Sequence, residues 1–321
     1  MDAALPPALS ATLEALAEGR SGRDLAARAQ AISAAYRAGA PSSQAIRTGD
    51  DALAYALTRM PATYAAVRAV LERLAEAAPD FAPLTLADVG CGPGTASWAA
   101  MATFDGLTDL ALVDANGPLL ALAESLLQDG SAAIRSTRGD LGRTALPAAE
   151  LVVAAYVLTE MADAAAIALT DRLWTVTEDV LVIVEPGTPA GWARLMAVRA
   201  RLIAQGGRVL APCPHHAACP VLAPDWCHFS QRLPRSRAHR LMKGADAPFE
   251  DEKYAYLVVA RPTVPTSSHR PARVLAPPME DKAAVSLKLC EPTGALALRR
   301  IAKRDKEAYR AVRRADWGDA V

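Results

Sequence analysis

The sequence predicts an α/β fold with a mostly parallel sheet and helices on both faces. Three observations carry that expectation: short apolar runs alternate with helical stretches, one run breaks into a glycine-rich loop, and the next run ends in an acid at the interval a doubly wound sheet requires. At 321 residues the chain is long enough for one large domain with an appendage. Its hydrophobic fraction of 52% is weighted toward alanine, so much of it should be Ala-rich helix.

Residues 1–80 are expected to form an N-terminal helical region. Leu9, Leu13, Leu16 and Ala17, then Leu25, Ala26, Ala29, Ile32 and Tyr36, recur at intervals of three and four. Pro61 suits the first turn of a further helix, whose buried side continues through Tyr64, Val67, Leu71 and Leu74. Leu84 to Val89 is then a strand ending in Asp88-Val-Gly-Cys-Gly-Pro-Gly-Thr95, followed by a helix over Ala96 to Thr103. Such glycines put backbone N–H groups beside a ligand with no Cβ in the way. A dinucleotide fingerprint would need Gly or Ala where Thr95 stands. With Asp88 in front, the loop resembles instead the first-strand loop of S-adenosylmethionine-dependent methyltransferases.

Leu110 to Asp114 is the second strand, and its terminal acid is placed to meet a ribose diol. Arg138-Gly-Asp-Leu141 resembles the loop after the third strand, where that superfamily sets an acid near the adenine. The expected cofactor-binding residues are therefore Asp88, Gly90, Gly92, Gly94, Asp114 and Asp140. Leu151 to Tyr156 and Val180 to Glu185 supply two more buried strands. The catalytic residues stay unknown: after the fourth strand stands Ala154-Ala-Tyr-Val-Leu-Thr-Glu160, with neither the Pro-Pro-aromatic set of amine methylation nor a cysteine. Tyr156 and Glu160 either face the pocket or serve as a packed tyrosine and a helix-capping acid. Glu185-Pro-Gly-Thr-Pro189 is either a pocket loop or a turn into a helix around Trp192 to Leu202.

Three of the five cysteines fall between Cys213 and Cys227, spaced C-x5-C-x7-C; Cys290 follows after 62 intervening residues, and Cys91 belongs to the glycine loop. No pair shows the two-to-four spacing of zinc knuckles, while a cubane cluster takes one thiolate per iron and accepts wider spacing. Spacing leaves cluster and zinc both open, with unligated buried cysteines a third reading. The C-x3-C-x2-C triplet of radical enzymes is absent. His215, His216 and His228 flank the set as supporting or phosphate-facing groups. This stretch, about 207–245, interrupts a domain at 81–261 whose last strand is Glu252 to Ala260.

The formal net charge of zero hides a split, with 14 Lys+Arg against 23 Asp+Glu in residues 1–200 and 21 against 12 in residues 201–321. A basic C-terminal third suits docking on phosphate; the bland alternative is a solvated face that also offsets a cluster's negative charge. The candidate RNA contacts are Arg232, Arg235, Arg237, Arg240 and Lys243, then Arg299, Lys303, Lys306, Arg310 and Arg313. The latter five step by four and three along one expected helical face over Arg299 to Arg314. In the C-terminal unit, 262–321, that helix follows a proline-rich linker over 262–280 and a hairpin over Val285 to Leu298 around a Pro-Thr-Gly turn. No secretory signal or membrane-length apolar run is visible, so a reducing cytoplasmic location and a monomer are expected.

Tyr55 to Val67, Asp88 to Gly94, the cysteine stretch through Phe229 and the basic end with Asp316-Trp-Gly318 together resemble one family. It is the Rsm22 family of methyltransferase-like proteins associated with the mitochondrial small ribosomal subunit, and its bacterial relatives. The resemblance spans about residues 45–318. It implies a class I methyltransferase fold, S-adenosylmethionine as cofactor, a 4Fe-4S cluster on Cys213, Cys219, Cys227 and Cys290, and a role in small-subunit assembly or translation through rRNA. An active rRNA methyltransferase is the alternative. A small-molecule methyltransferase with a structural zinc site comes third.

Overall fold

The computed structural model describes residues 3–128, 130–244, 246–267 and 270–321. The side chains at 237, 238 and 241 lie outside that description, and the expectation for Arg237 with them. The chain opens with helices α1 (Pro7–Ala17), α2 (Gly22–Arg37), α3 (Ser42–Ala45) and α4 (Gly49–Ala77). Strands β1 (Thr85–Val89), β2 (Asp109–Asp114), β3 (Ala133–Arg138), β4 (Ala149–Ala155) and β5 (Thr177–Pro186) then alternate with α5 (Thr95–Met101), α6 (Gly117–Leu127) and α7 (Asp163–Val176). After α8 (Pro189–Ala204) come β6 (Arg208–Ala211), β7 (Phe229–Pro234), α9 (Arg237–Lys243) and β8 (Phe249–Ala260).

These strands build one sheet in the order β3-β2-β1-β4-β5-β8-β6, with β7 also on β8. β1 to β5 pair in parallel, and β8 enters antiparallel. Because successive side chains of a strand point to opposite faces, the sheet divides two apolar layers. Tyr254, Tyr256 and Val258 of β8 join the layer under α4, α5 and α6, whereas Ala255, Leu257 and Val259 join the layer under α7 and α8. β6 and β7 lie along the same edge of β8, and residues 212–228 loop out between them. That loop is the cysteine insertion.

The expectation that Pro61 opens a helix is overturned, since it lies inside the continuous α4. An internal proline removes one backbone hydrogen bond and costs about 3 kcal/mol. Burial of Met60, Tyr64, Val67, Val70, Leu71 and Leu74, at roughly 1.5–3 kcal/mol each, outweighs it. The true start is Thr48, where the Asp51 N–H donates to Thr48 Oγ1 at 3.2 Å and the Thr48 N–H donates to Asp51 Oδ2 at 3.0 Å.

A second sheet follows, with β11 (Ala284–Cys290) flanked by β12 (Leu296–Ala302), β10 (Met279–Glu280) and β9 (Arg273–Val274). The expected hairpin is present, but the supposed linker over 262–280 contributes β9 and β10 to the sheet. The expected single helix from Arg299 is also overturned: Arg299 lies opposite Leu287 in the β11–β12 ladder, and the helix α10 is only Lys306–Val312. Arg299, Lys303, Lys306, Arg310 and Arg313 therefore share no single helical face. Ladder hydrogen bonds to β11 prevail over the local three-and-four spacing, and Asp305 caps a new start by accepting from the Ala308 N–H at 3.3 Å. Val274, Val285, Leu287, Leu289 and Val312 form the small core of this unit.

Removing the α4 cap with Thr48→Ala is expected to cost about 1 kcal/mol, and Leu71→Ala about 3 kcal/mol because it opens a cavity under the sheet. Urea unfolding of both variants measures the two losses.

Candidate functional site

The loop after β1 is tied to β2, with the Gly90 and Cys91 N–H groups donating to the Val113 carbonyl at 2.7 and 3.2 Å. Gly90 has a φ of 73°, and a Cβ there would lie 2.3 Å from the Val157 side chain. Gly94 has a φ of 78°, and its Cβ would press on Leu127 of α6 at 3.1 Å. The Gly92 N–H donates to Asp114 Oδ2 at 2.7 Å, and the Asn116 N–H donates to Asp114 Oδ1 at 2.7 Å. Each carboxylate oxygen keeps a lone pair for a ligand. Asp88 pins the start of α5, accepting from the Ser97 N–H at 2.9 Å and from Ser97 Oγ at 2.8 Å. Burial pushes its carboxyl up to about 7. Asp140, exposed at the rim, accepts from the Gly142 N–H at 2.7 Å.

A cavity of about 460 Å³ joins Asp88, Gly90, Gly92, Asp114 and Asp140. Gly94 packs against α6 instead of lining it. The N-terminal helices supply walls that sequence reasoning missed. Asn116 Nδ2 donates to the carbonyls of Ser42 and Ile46 at 3.1 and 3.0 Å, and the Ser42 N–H donates to Glu160 Oε2 at 3.0 Å. A second cavity of about 860 Å³ lies alongside and shares Tyr36, Tyr55, Tyr156 and Glu160 with the first. Tyr55 stood within a stretch the sequence singled out, but nothing local in it shows that it reaches the glycine loop.

Tyr156 and Glu160 do face these cavities. Tyr156 has a φ of 61°, the one left-handed non-glycine among the described residues, and such a conformation stores about 1–3 kcal/mol. Its hydroxyl donates to Glu252 Oε1 at 3.0 Å, and Arg59 Nη2 holds the same oxygen at 3.2 Å. Burial raises both the Tyr156 hydroxyl and the Glu160 carboxyl above their ordinary ranges. Glu185 is a brace behind the pocket: fully buried, it accepts from the Leu158 N–H at 3.1 Å and pairs with Arg194 at 3.0 Å. Burial pushes it to about 7.

Cys213, Cys219, Cys227 and Cys290 all line one small cavity of about 20 Å³ together with Trp192, Phe229 and Tyr256. Cys290 ends β11, so the cavity joins the second sheet to the first. Burial raises the thiols of Cys213 and Cys227, and pushes that of Cys290 to about 12. His215 Nε2 lies 3.3 Å from Cys290 Sγ. Trp192 Nε1, Arg199 Nε and His215 Nδ1 are buried here without partners among the described residues. Sulfur acceptors inside the cavity would answer the Trp192 and Arg199 N–H groups, so the donor set fits a thiolate-held centre. Among the described residues, no three His, Cys, Asp or Glu side chains stand close enough to hold a single ion.

Of the basic candidates, Arg235 and Lys243 both pair with Glu250, at 3.1 and 2.7 Å, and line the larger cavity. Arg232 binds Asp251 through two nitrogens at 2.8 and 2.9 Å. Arg240 is half-buried, its Nε without an acceptor among the described residues. Arg299 pairs with Glu291, and Lys303 with Glu280 at 2.6 Å. Lys306, Arg310 and Arg313 are exposed and form no ion pair among the described residues.

The family model for the mitochondrial small ribosomal subunit protein Rsm22 matches residues 49–321. The chain belongs to the Rsm22 family. Human METTL17, described as a mitochondrial ribosome assembly protein, is 32% identical to this Rsm22 relative over 289 residues. The match covers 84% of this chain and 62% of the human one, so the chain spans less than two thirds of that relative's length. Solved structures similar to it include magnesium protoporphyrin IX methyltransferase from Synechocystis PCC 6803 with bound SAM, at 15% identity and a TM-score of 0.41, covering 62% of this chain and 80% of that one. A putative RNA methyltransferase from Pyrococcus horikoshii matches at 12% identity and a TM-score of 0.42, covering 62% and 81%. The sheet order of this Rsm22-family chain, with antiparallel β8 set between β5 and β6, is that of the class I methyltransferase fold.

The Asp88 carboxyl binds its proton more tightly in the fold than in the unfolded chain, so its contribution to stability is full below about pH 4 and is lost as pH rises through about 7. Asp88→Asn is therefore expected to gain on wild type across that window. Urea unfolding at both ends of the range gives the difference, and an equal difference at each end contradicts the assignment.

Proposed function

We propose that this Rsm22-family chain is an assembly or translation factor of the small ribosomal subunit. In this reading it acts in the cytoplasm, binds S-adenosylmethionine in the glycine-loop cavity, contacts rRNA through its basic C-terminal third and carries a 4Fe-4S cluster on Cys213, Cys219, Cys227 and Cys290. The observation that carries it is the single cavity gathering cysteines from two separate segments, one of them in the unit that bears the unpaired basic residues. The printed role of the human relative, ribosome assembly, supports it.

In the glycine-loop cavity, Asp114 would offer carboxylate lone pairs to a ribose diol, Asp140 would serve the adenine, and the loop backbone would approach without a side chain at Gly92. The bound cofactor would supply an electrophilic methyl group. Four thiolates would hold the cluster, one from Cys290 of the second sheet and three from the loop beside the first.

A second reading, an active rRNA methyltransferase, is favoured by the 860 Å³ cavity beside the cofactor loop, which brings Tyr36, Tyr55 and the strained Tyr156 around space for an acceptor. Mass-spectrometric mapping of small-subunit rRNA from a deletion strain separates the two. A methyl group lost on deletion and restored by wild type but not by Asp114→Ala establishes the enzyme; unchanged methylation with impaired subunit maturation supports the assembly factor. Absence of co-sedimentation with small subunits at moderate salt would point to a small-molecule methyltransferase instead.

The metal assignment is tested by anaerobic purification with iron, sulfide and zinc quantification. About four irons and four sulfides per chain are expected, and one zinc without iron overturns the cluster. For the RNA surface, a Lys306→Glu, Arg310→Glu and Arg313→Glu triple variant should release from subunits at lower salt than wild type.

A further inference from the structure

Two arginines are buried beside the four cysteines without a carboxylate partner among the described residues. Arg199 of α8, 4% exposed, donates through Nη2 to the His215 carbonyl at 2.7 Å, while its Nε is unpartnered. Arg273 of β9, 7% exposed, donates through Nε to the Pro212 carbonyl at 3.1 Å and through Nη1 to the Gly318 carbonyl at 2.8 Å. Carbonyl groups satisfy N–H donors but do not balance a full positive charge. A guanidinium does not shed its proton, so burying one is costly unless an anion lies close.

The groups these arginines face are the thiols. Arg273 stands directly opposite Cys290 in the β9–β11 ladder and reaches the carbonyl of Pro212, the neighbour of Cys213, while Arg199 reaches the carbonyl of His215, two residues past Cys213. Arginines that are less deeply enclosed do find acids, as Arg194 finds Glu185 and Arg73 finds Asp319. Four thiolates around a core of about +2 leave a net charge near −2, which two guanidinium groups offset.

Resting on the metal-centre reading above, we infer that Arg199 and Arg273 are the paired counter-charges of the four-cysteine centre, one from each of the two sheets' units. Their burial stabilises the loaded protein and destabilises the same chain stripped of metal. Because Arg199 belongs to α8 and Arg273 to β9, the charge balance closes only when the C-terminal unit is docked.

The test uses full-length wild type, Arg199→Leu, Arg273→Leu and the charge-keeping Arg199→Lys, all purified anaerobically. Metal per chain, the rate of metal loss to a chelator, and Tm before and after metal removal are measured. The Leu variants are expected to lose metal about tenfold faster than wild type, with Arg199→Lys closer to wild type. Once metal-free, Arg199→Leu should melt a few degrees above metal-free wild type, on the order expected for relieving one buried charge. An arginine needed only for packing would lower Tm in both states, and that result overturns the inference. A wild type that holds metal beside Leu variants that release it no faster overturns the inference alone. A wild type with neither iron nor zinc overturns the centre as well. If Arg199→Leu does not fold, Arg273→Leu carries the same measurements.

Discussion

Strand β8 is the element on which the rest of this protein depends. Its inner half, Tyr254 to Ala260, pairs with β5 and completes the parallel sheet, while its outer half, from Phe249, runs past the end of β5 and pairs with β7 alone. The overhang carries Glu250 and Glu252 to the large cavity, where they neutralise Arg235, Lys243 and Arg59 and receive the Tyr156 hydroxyl. On the inner half, Ala255 and Tyr256 line the cysteine cavity. A one-residue slip of β8 would reverse which side chains face each layer, so cofactor side, cavity wall and cysteine site share one register.

The N-terminal helices are more than a preface to the sheet. Cap and core hold α4 as one continuous helix, and Asn116 ties both ends of α3 to the start of α6. Tyr36 and Tyr55 thereby join the walls of the glycine-loop cavity, which strands and loops alone would not complete. Charge follows the same logic of enclosure. The basic run after Cys227 contains no acid of its own, yet the acids on β8 meet much of it. Exposed basic residues that form no ion pair among the described residues lie farther on, Lys306, Arg310 and Arg313 among them.

Where sequence and structure part, a longer-range interaction has prevailed over a local pattern. Pro61 carries a true local penalty, but the apolar burial along α4 exceeds it. The stepping of Arg299, Lys303, Lys306, Arg310 and Arg313 is real in sequence, but the β11–β12 ladder claims the first of them and a new cap begins the helix after the second. The proline-rich stretch over 262–280 reads as a linker because β9 and β10 are two residues each, too short for a period to show.

By itself the sequence determined the strand–glycine–helix unit, the acid closing β2, the alternation of buried strands with helices, the family, and the four-cysteine set with its distant member on a hairpin. These are legible because each is written within a few neighbouring residues as a backbone requirement or a spacing. Only the tertiary structure decided that Gly94 serves helix packing, that Tyr36, Tyr55 and Glu252 surround the pocket, and that Arg199 and Arg273 stand over the cysteines. Those relations join residues far apart in the chain and arise from β8 register and helix docking, which no local pattern encodes.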